Sequence, residues 1–412
     1  MPLAWLSLIA LVIAIIVSCF TRLNVGILAM AFAWIVGVYF GGLRLDEVIG
    51  GFPTQLFLTL TGVTLLFAQA QTNGTLDRIA HRAVRLCRGN AGMIPVMFFM
   101  LGLGIASAGP GNVATAAMLA PMGLAAAHRA RIPAFLMIIM LGNGAQAGSL
   151  SPFAPTGIIV NGLMTKIGLA GHEWWNYWTN ASAHMVIAFG GYLLLGGWRL
   201  FGQRPPAESA GTSTAIDALE VKHWFTLAVI LIVMTVVLFL KANIGMAAFA
   251  GAVLLAVIRV ADHEQAIKRV PWSTILMVTG VTILIALLEK TGGLDLFTAM
   301  LARFATPTTL TGFVAFVTGV ISVYSSTSGV VLPAFIPTIP GLVDRLGGDP
   351  LSIAASMNIG AHVVDMSPLS TTGAVSLAAI VTPEEVRPTY NKLLAWGLSM
   401  TVVGAIGCYL LL

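Results

Sequence analysis

Four short polar segments interrupt the apolar stretches of this chain, and they hold the residues that could do chemistry. They lie at residues 109–115, 143–156, 325–328 and 358–372. Glycine and proline within them end helices, because glycine is conformationally free and proline lacks an amide donor and frees a carbonyl one turn earlier. The second half of a broken helix begins with free amides that favour an anion, whereas freed carbonyls can hold a cation. The segments predict one anion site flanked by cation sites; the alternative is that they merely kink and pack helices.

Asp365 is the carboxylate that the sequence places well inside a predicted membrane span. An acidic side chain at membrane depth is costly, so it is by default a functional hypothesis. Asp365 could ligate a cation or carry a proton, and His362, one turn earlier, could be its partner. The alternative interpretation is that Asp365 only caps the helix that restarts near Ser367.

The composition places the chain in a lipid bilayer. Hydrophobic residues make up 58% of the 412 residues and charged residues 9%, compared with about 25% charged residues in soluble domains. The formal net charge of +5 does not indicate nucleic acid, because the cations lie between apolar spans and act as topology signals. The three cysteines are widely spaced and give no disulfide or metal pattern. No motif for ATP hydrolysis or covalent catalysis occurs, so the chain is not predicted to be an enzyme.

The chain also contains a sequence repeat. Residues 60–77 and 278–295 are identical at nine of eighteen positions, at an offset of 218 residues. Residues 144–157 and 360–373 are identical at six of fourteen positions, at an offset of 216. Such a duplication in an apolar chain, with polar interruptions at matching places, is typical of transporters and indicates the binding site.

Each half is long enough for five membrane crossings and one re-entrant hairpin. The hairpins are predicted at 92–127 and 309–343, with tips at 107–112 and 324–329. An odd number of crossings inverts the second half, so the predicted fold is an all-α polytopic membrane protein of two inverted repeats, each with a broken helix. The predicted spans are 3–20, 24–42, 54–72, 132–164, 182–200, 223–240, 243–260, 272–289, 350–380 and 391–412.

The distribution of cations predicts the orientation. With both termini outside a bacterial-type inner membrane, 15 of the 21 lysines and arginines lie inside, as the positive-inside rule favours. The first repeat then covers residues 1–201, a cytoplasmic linker covers 202–222, and the second repeat covers 223–412. Residues 172–178, rich in aromatics, are predicted to form an outer loop, and residues 76–90 to form an amphipathic helix in the interface.

Residues 111–121, GNVATAAMLAP, resemble the Ser-Asn-Thr hairpin-tip motif of the divalent-anion/sodium symporters in the ion transporter superfamily. Residues 49–77 are more narrowly similar to the malonate/dicarboxylate carrier branch. Gly111 and Val113 replace the motif's serine and threonine, and Ser326 replaces asparagine in the second tip. The resemblance implies a homodimer in the bilayer, with a scaffold part and a transport part that slides as an elevator.

The resemblance also implies site residues in both tips and both broken helices. The candidates for substrate binding are Gly111, Asn112, Thr115, Ser151, Pro152, Thr156, Ser325, Ser326, Thr327, Ser367, Pro368, Thr371 and Thr372. The candidates for sodium or proton sites are Ser107, Asn112, Gly148, Ser328, Asn358 and Asp365.

These residues predict a secondary active transporter for a small dicarboxylate, such as malonate or a C4-dicarboxylate. The predicted centre has no lysine or arginine, so the dianion must be held by dipoles, amides, hydroxyls and co-bound cations. Sodium or protons are therefore the expected coupling ions, and no other cofactor is expected. The alternatives are a cation/proton antiporter that uses Asp365 and a passive anion channel.

Overall fold

In the residues that the structure describes, all regular secondary structure is helical. These are residues 2–21, 23–85, 90–203 and 219–412 of a computed structural model. The first half contains α1 (Leu3–Phe20), α2 (Val25–Trp34), which continues as a π-helical segment (Ile35–Phe40), α3 (Leu45–Ile49), α4 (Thr54–Thr72), α5 (Thr75–Arg85), α6 (Met93–Ala108), α7 (Gly111–Arg129), α8 (Ala134–Ala147), α9 (Pro155–Lys166), α10 (Glu173–Leu194) and a short 3-10 helix (Gly197–Leu200).

The second half follows the same order. It contains α11 (Val221–Leu240), α12 (Ile244–Val257), α13 (His263–Arg269), α14 (Trp272–Thr291), α15 (Gly293–Ala302), α16 (Leu310–Tyr324), a π-helical turn (Thr327–Val331), α17 (Leu332–Phe335), a 3-10 turn (Ile336–Thr338), α18 (Ile339–Leu346), α19 (Pro350–Val363), α20 (Thr371–Ala378) and α21 (Pro383–Leu411). The element that matches α7 is thus divided between the π-helical turn, α17 and α18.

Asparagine caps begin corresponding helices in the two halves. The side chain of Asn24 accepts a hydrogen bond from the amide of Gly26 at the start of α2. The side chain of Asn243 accepts one from the amide of Met246 at the start of α12. An asparagine at this position satisfies an amide that has no partner within the helix.

Helices α1, α2, α4, α11, α12 and α14 form one unit, which we name the frame. Within it α2 packs across α14, and α4 packs across α12. A Cβ added at Gly26 would overlap the backbone of Leu276, and one added at Gly62 would overlap the carbonyl oxygen of Gly245. The backbones of the crossing helices are therefore in direct contact, which only glycine allows at these positions.

Helices α6–α10 and α16–α21 form a second unit, which we name the site unit. Helix α8 packs against α6, α7 and α10, whereas α19 packs against α16, α21 and α10. Residues 134–150 are buried almost throughout. The two broken helices, α8–α9 and α19–α20, thus lie at the centre of the site unit.

The aromatic segment at 172–178 does not form the loop that its composition predicts. Helix α10 begins at Glu173, so this segment forms its first turns. Asn176 and Tyr177 are buried, and the Tyr177 hydroxyl is 3.0 Å from the Ser107 hydroxyl. Contacts of Tyr177 with α6 and of Asn176 with α9 therefore order a segment whose aromatic content alone suggested a membrane interface.

Three described helices are long and apolar enough to cross a membrane: Trp272–Thr291, Thr327–Leu346 and Pro383–Leu411. Eight further apolar helices have 10–17 residues, so the number of crossings stays a prediction. The amphipathic helix predicted at 76–90 corresponds to α5, which ends at Arg85, and residues 86–89 lie outside the described residues. Most of the predicted linker, residues 204–218, also lies outside them.

Candidate functional site

The first hairpin tip is a glycine turn between α6 and α7. Gly109 has a φ of 144° and Gly111 a φ of 78°, a region that side chains other than glycine rarely adopt. A Cβ added at Gly109 would overlap the ring of Phe67 on α4. The tip therefore lies directly against the frame, with the half-buried side chain of Asn112 in the first turn of α7.

The second tip begins where α16 ends at Tyr324. The Ser326 hydroxyl accepts a hydrogen bond of 3.1 Å from the amide of Gly329 and so caps the π-helical turn. A Cβ added at Gly329 would overlap the sulfur of Met277 on α14. The second tip thus also lies against the frame, and Thr327 is buried behind it.

The first break in a helix covers residues 148–154, between α8 and α9. The Ser151 hydroxyl donates 2.7 Å to the carbonyl oxygen of Ser107, which ties the break to the first hairpin. The Ser149 hydroxyl donates 2.7 Å to the carbonyl oxygen of Gln146 in its own chain segment. A Cβ added at Gly157 would overlap the Ser151 carbonyl oxygen, so the chain turns back tightly on itself here.

The second break covers residues 364–370, between α19 and α20. The Ser370 hydroxyl donates to the carbonyl oxygen of Asp365 and accepts from the amide of Gly373, which caps α20. A Cβ added at Gly373 would overlap the carbonyl oxygen of Ser367. The two breaks therefore share one backbone arrangement.

One chain of hydrogen bonds joins the two tips through the last turn of α8 and the second break. The Asn112 amide donates 2.8 Å to Oε1 of Gln146, whose Nε2 donates 2.9 Å to Oδ2 of Asp365. The Thr327 hydroxyl donates 2.7 Å to Oδ1 of the same carboxylate. Nε2 of Gln146 also lies 3.4 Å from the Thr372 hydroxyl. We name these five residues the junction: it brings together polar groups that lie up to 260 positions apart in the sequence.

Other predicted site residues surround the junction without joining its hydrogen bonds. Ser107, Gly111, Gly148, Ser151, Thr156, Ser325, Ser367 and Pro368 are buried or half-buried in the tips and breaks, Pro152, Ser326 and Ser328 are partly exposed, and Thr371 is exposed. Thr115 is fully buried, and its hydroxyl has no hydrogen-bond partner among the described residues. The predicted list thus includes four of the five junction residues, Asn112, Thr327, Asp365 and Thr372, together with residues of the surrounding lining.

The predicted pairing of His362 with Asp365 is wrong. Nδ1 of His362 lies 2.8 Å from the carbonyl oxygen of Asn358, and its Nε2 has no partner among the described residues. Helix α19 ends at Val363, so Asp365 lies beyond the helix and the helical spacing from His362 does not apply. The side-chain amide of Asn358 is also buried without a partner in the described chain.

Sequence reasoning missed Gln146, the residue that joins the two halves. Its backbone carbonyl accepts 2.9 Å from the Asn180 amide of α10. One turn further along α10, Nδ1 of His184 is 2.9 Å from Oδ1 of Asn143. The available signal for Gln146 was its place in a polar break, at the position that corresponds to His362 in the repeat.

A cleft of about 830 Å³ lies between the frame and the site unit. Its polar lining includes Asn161 and Thr282, and its charged lining residues are Lys166, Glu173 and Glu289. Pro152 of the first break and Pro333 of α17 lie on its wall. The cleft therefore reaches the first break from one side of the molecule.

Comparisons with known proteins indicate a membrane transporter. The family model described as "Dicarboxylate carrier protein MatC N-terminus" matches residues 1–149. Uncharacterized transporters of Mycobacterium bovis and Mycobacterium tuberculosis are each 24% identical over 316 residues, which cover 73% of this chain and 71% of theirs. The crystal structure of the Alcanivorax borkumensis YdaH transporter is similar in fold, with a TM-score of 0.60, 15% identity and coverage of 89% of both chains. The chain therefore resembles transporters, not enzymes, in sequence and fold.

Proposed function

We propose that this chain is a secondary active transporter that moves a small dicarboxylate, such as malonate or a C4-dicarboxylate, across a bacterial-type inner membrane together with sodium or protons. The observation that carries the proposal is the junction, where both tips and both breaks meet. Its amide and hydroxyl donors are uncharged and buried, which suits a carboxylate held without a lysine or arginine. The match of residues 1–149 to a dicarboxylate carrier model supports this substrate class.

Coupling to a cation follows from the energetics of charge in a bilayer. A dianion in a medium of low dielectric constant is costly, and the described residues form no ion pair at the junction that would offset its charge. A co-bound sodium ion or proton lowers that cost. The candidate cation sites at Ser107, Asn112, Gly148, Ser328, Asn358 and Asp365 belong to this proposal.

We also propose that the two halves are inverted repeats and that the site unit slides against the frame in a homodimer. The corresponding order of helices and the matching glycine positions in the two breaks support the repeat. The division into frame and site unit, with a cleft between them, supports movement of one unit past the other. In the predicted orientation this cleft opens to the outer side.

Uptake into proteoliposomes tests the proposed function. We expect labelled malonate or succinate to accumulate when an inward sodium or proton gradient is imposed, and to stay at equilibrium without one. Asn112→Ala should lower uptake, whereas Asn24→Ala, which changes a helix cap in the frame outside the cleft lining, should not. Conduction that ignores both gradients and does not saturate would instead identify an anion channel. Sodium–proton exchange without any organic anion would identify an antiporter.

A further inference from the structure

The carboxylate of Asp365 takes up the donors that a substrate carboxylate would need. It accepts from Nε2 of Gln146 through one oxygen and from the Thr327 hydroxyl through the other. We infer that Asp365 is the coupling residue of the transporter: it competes with the substrate for these donors until a cation or a proton neutralises it. This inference rests on the proposed dicarboxylate transport.

The available hydrogens at the junction support competition. The Thr327 hydroxyl has one hydrogen, which Asp365 accepts at 2.7 Å, and Thr327 in turn accepts the hydrogen of the Ser322 hydroxyl. Gln146 has two amide hydrogens: one goes to Asp365, and the second points toward the Thr372 hydroxyl at 3.4 Å. Asn112 also has two amide hydrogens and donates one of them to Oε1 of Gln146. A substrate carboxylate can therefore bind the Thr327 hydroxyl, and the amide hydrogen of Gln146 that now goes to Asp365, only if Asp365 releases them.

The charges around Asp365 lead to the same conclusion. Its side chain is 6% exposed, and no lysine or arginine pairs with it among the described residues. The buried histidines on the elements packed around it are His362 of α19 and His184 of α10, and neither donates to it in the described chain. An ionised Asp365 and a dianion would thus repel each other across a few ångströms of low dielectric, so neutralisation of Asp365 favours the substrate.

Only the second half of the chain carries this carboxylate. The corresponding position in the first break is Ser149, whose hydroxyl donates to the Gln146 carbonyl oxygen and not across to the other half. The backbone arrangement of the two breaks is shared, so the fold does not require an acid at this position. Asp365 is therefore placed for chemistry and is not a product of helix capping, which Ser370 performs for α20.

The inference makes binding of substrate and of cation reciprocal. If a neutralising cation raises the affinity for the dianion by some factor, the dianion must raise the affinity for that cation by the same factor. A sodium ion beside the carboxylate and a proton on it share this chemistry. If sodium is the coupling ion, the affinity for the dianion depends on sodium concentration, and if a proton is, it depends on pH.

The test measures malonate binding to the purified full-length chain by calorimetry and thermal shift. One comparison measures binding in sodium and in choline buffer at the same pH. A second comparison measures binding in choline buffer at a mildly acidic pH and at a mildly alkaline pH. For the wild type we expect tighter binding with sodium or with acid, by about tenfold or more, because charge-assisted hydrogen bonds are exchanged. For Asp365→Asn we expect binding in choline at alkaline pH to match that of the neutralised wild type.

Asp349→Asn is the matched control. Asp349 caps the start of the same helix, α19, through the Ser352 amide, and asparagine is an equally good cap. This variant should keep the full cation dependence of the wild type. Asp365→Ser, which introduces the residue of the first break, provides a second neutral variant with the same expectation as Asp365→Asn if the asparagine variant does not fold.

The outcomes separate the inference from the proposed function. A neutral variant that binds malonate independently of cations but no longer accumulates it supports the inference. A folded neutral variant that still needs the cation, or that has lost binding altogether, overturns the inference and leaves the proposed transport intact. A wild-type protein that binds and transports no dicarboxylate overturns the proposed function itself.

Discussion

The two helix breaks have the same backbone but different chemistry. In each, the helix that follows the break has a glycine whose added Cβ would overlap a serine carbonyl oxygen. In α9 this is Gly157, against the carbonyl oxygen of Ser151, and in α20 it is Gly373, against that of Ser367. In each, that serine's hydroxyl accepts from the amide two residues later. The turn is therefore a common element of both halves.

The polar side chains of the breaks differ instead. The last turn of α8, just before the first break, supplies Gln146, a neutral amide that donates and accepts, whereas the second break supplies Asp365, which only accepts when ionised. At the equivalent positions stand His362, which bonds within α19, and Ser149, which bonds back to the last turn of α8. The comparison teaches that packing preserves the shared turn, while each half contributes a different group to one junction.

The largest expected effect on stability comes from adding a methyl group at the glycine that contacts the turn in each break. Gly157→Ala and Gly373→Ala should both destabilise the fold by about 3 kcal/mol, at the upper end of overpacking, because the obstacle is a backbone carbonyl. Thermal unfolding in detergent measures this. Gly104→Ala is the control, since no atom lies within 4 Å of its added Cβ, and it should be neutral or stabilising. Tolerance of alanine in only one break would show that the two turns are not equivalent.

An intermediate effect on uptake should distinguish the polar side chains of Gln146 and Ser149. Gln146→Leu keeps the volume but leaves Asp365 and Asn112 without their shared partner. Initial uptake should fall about tenfold or more, because a hydrogen bond to a charged group is lost in a buried place. Ser149→Ala removes a bond within one segment and should change uptake by about threefold or less. Equal losses in the two variants would contradict the assignment of Gln146 to the junction.

The smallest expected effect distinguishes the two serines of the turns. Ser151 also donates 2.7 Å to the Ser107 carbonyl oxygen of the first hairpin, whereas the Ser367 hydroxyl donates to no described residue and accepts from the Leu369 amide at 3.3 Å. Ser151→Ala should therefore cost about 1 kcal/mol of unfolding free energy, and Ser367→Ala a few tenths. Chemical denaturation of the two variants side by side checks the order, and equal losses would show that the bond to the hairpin contributes nothing.

Local chemistry made the breaks and tips predictable. Glycine, proline and serine end helices through their own backbone properties, so the sequence places the tips at Gly109 and Ser325, one residue past the ends of α6 and α16, and places Ser151 and Ser367 in the middle of the two breaks. The caps at Asn24 and Asn243 are local in the same sense. Such features need no knowledge of the rest of the fold.

Contacts between distant segments were not predictable in this way. The partner of Gln146 lies 219 positions away, and a single glutamine gives no periodic signal of that contact. The aromatic segment at 172–178 is helical because Asn176 and Tyr177 are buried against other helices. The mistaken pairing of His362 with Asp365 assumed that α19 continues past Val363. In each case tertiary packing decided the outcome.

The glycine crossings of the frame have a consequence for handling the protein. Helices in lipid gain nothing from expelling water, so close backbone contact and dispersion must hold α2 on α14 and α4 on α12. Attraction of this kind depends little on the surrounding solvent. The crossed helices should therefore survive extraction into mild detergent and bilayers of different thickness, and serve as a fixed reference against which displacements of the remaining helices can be measured.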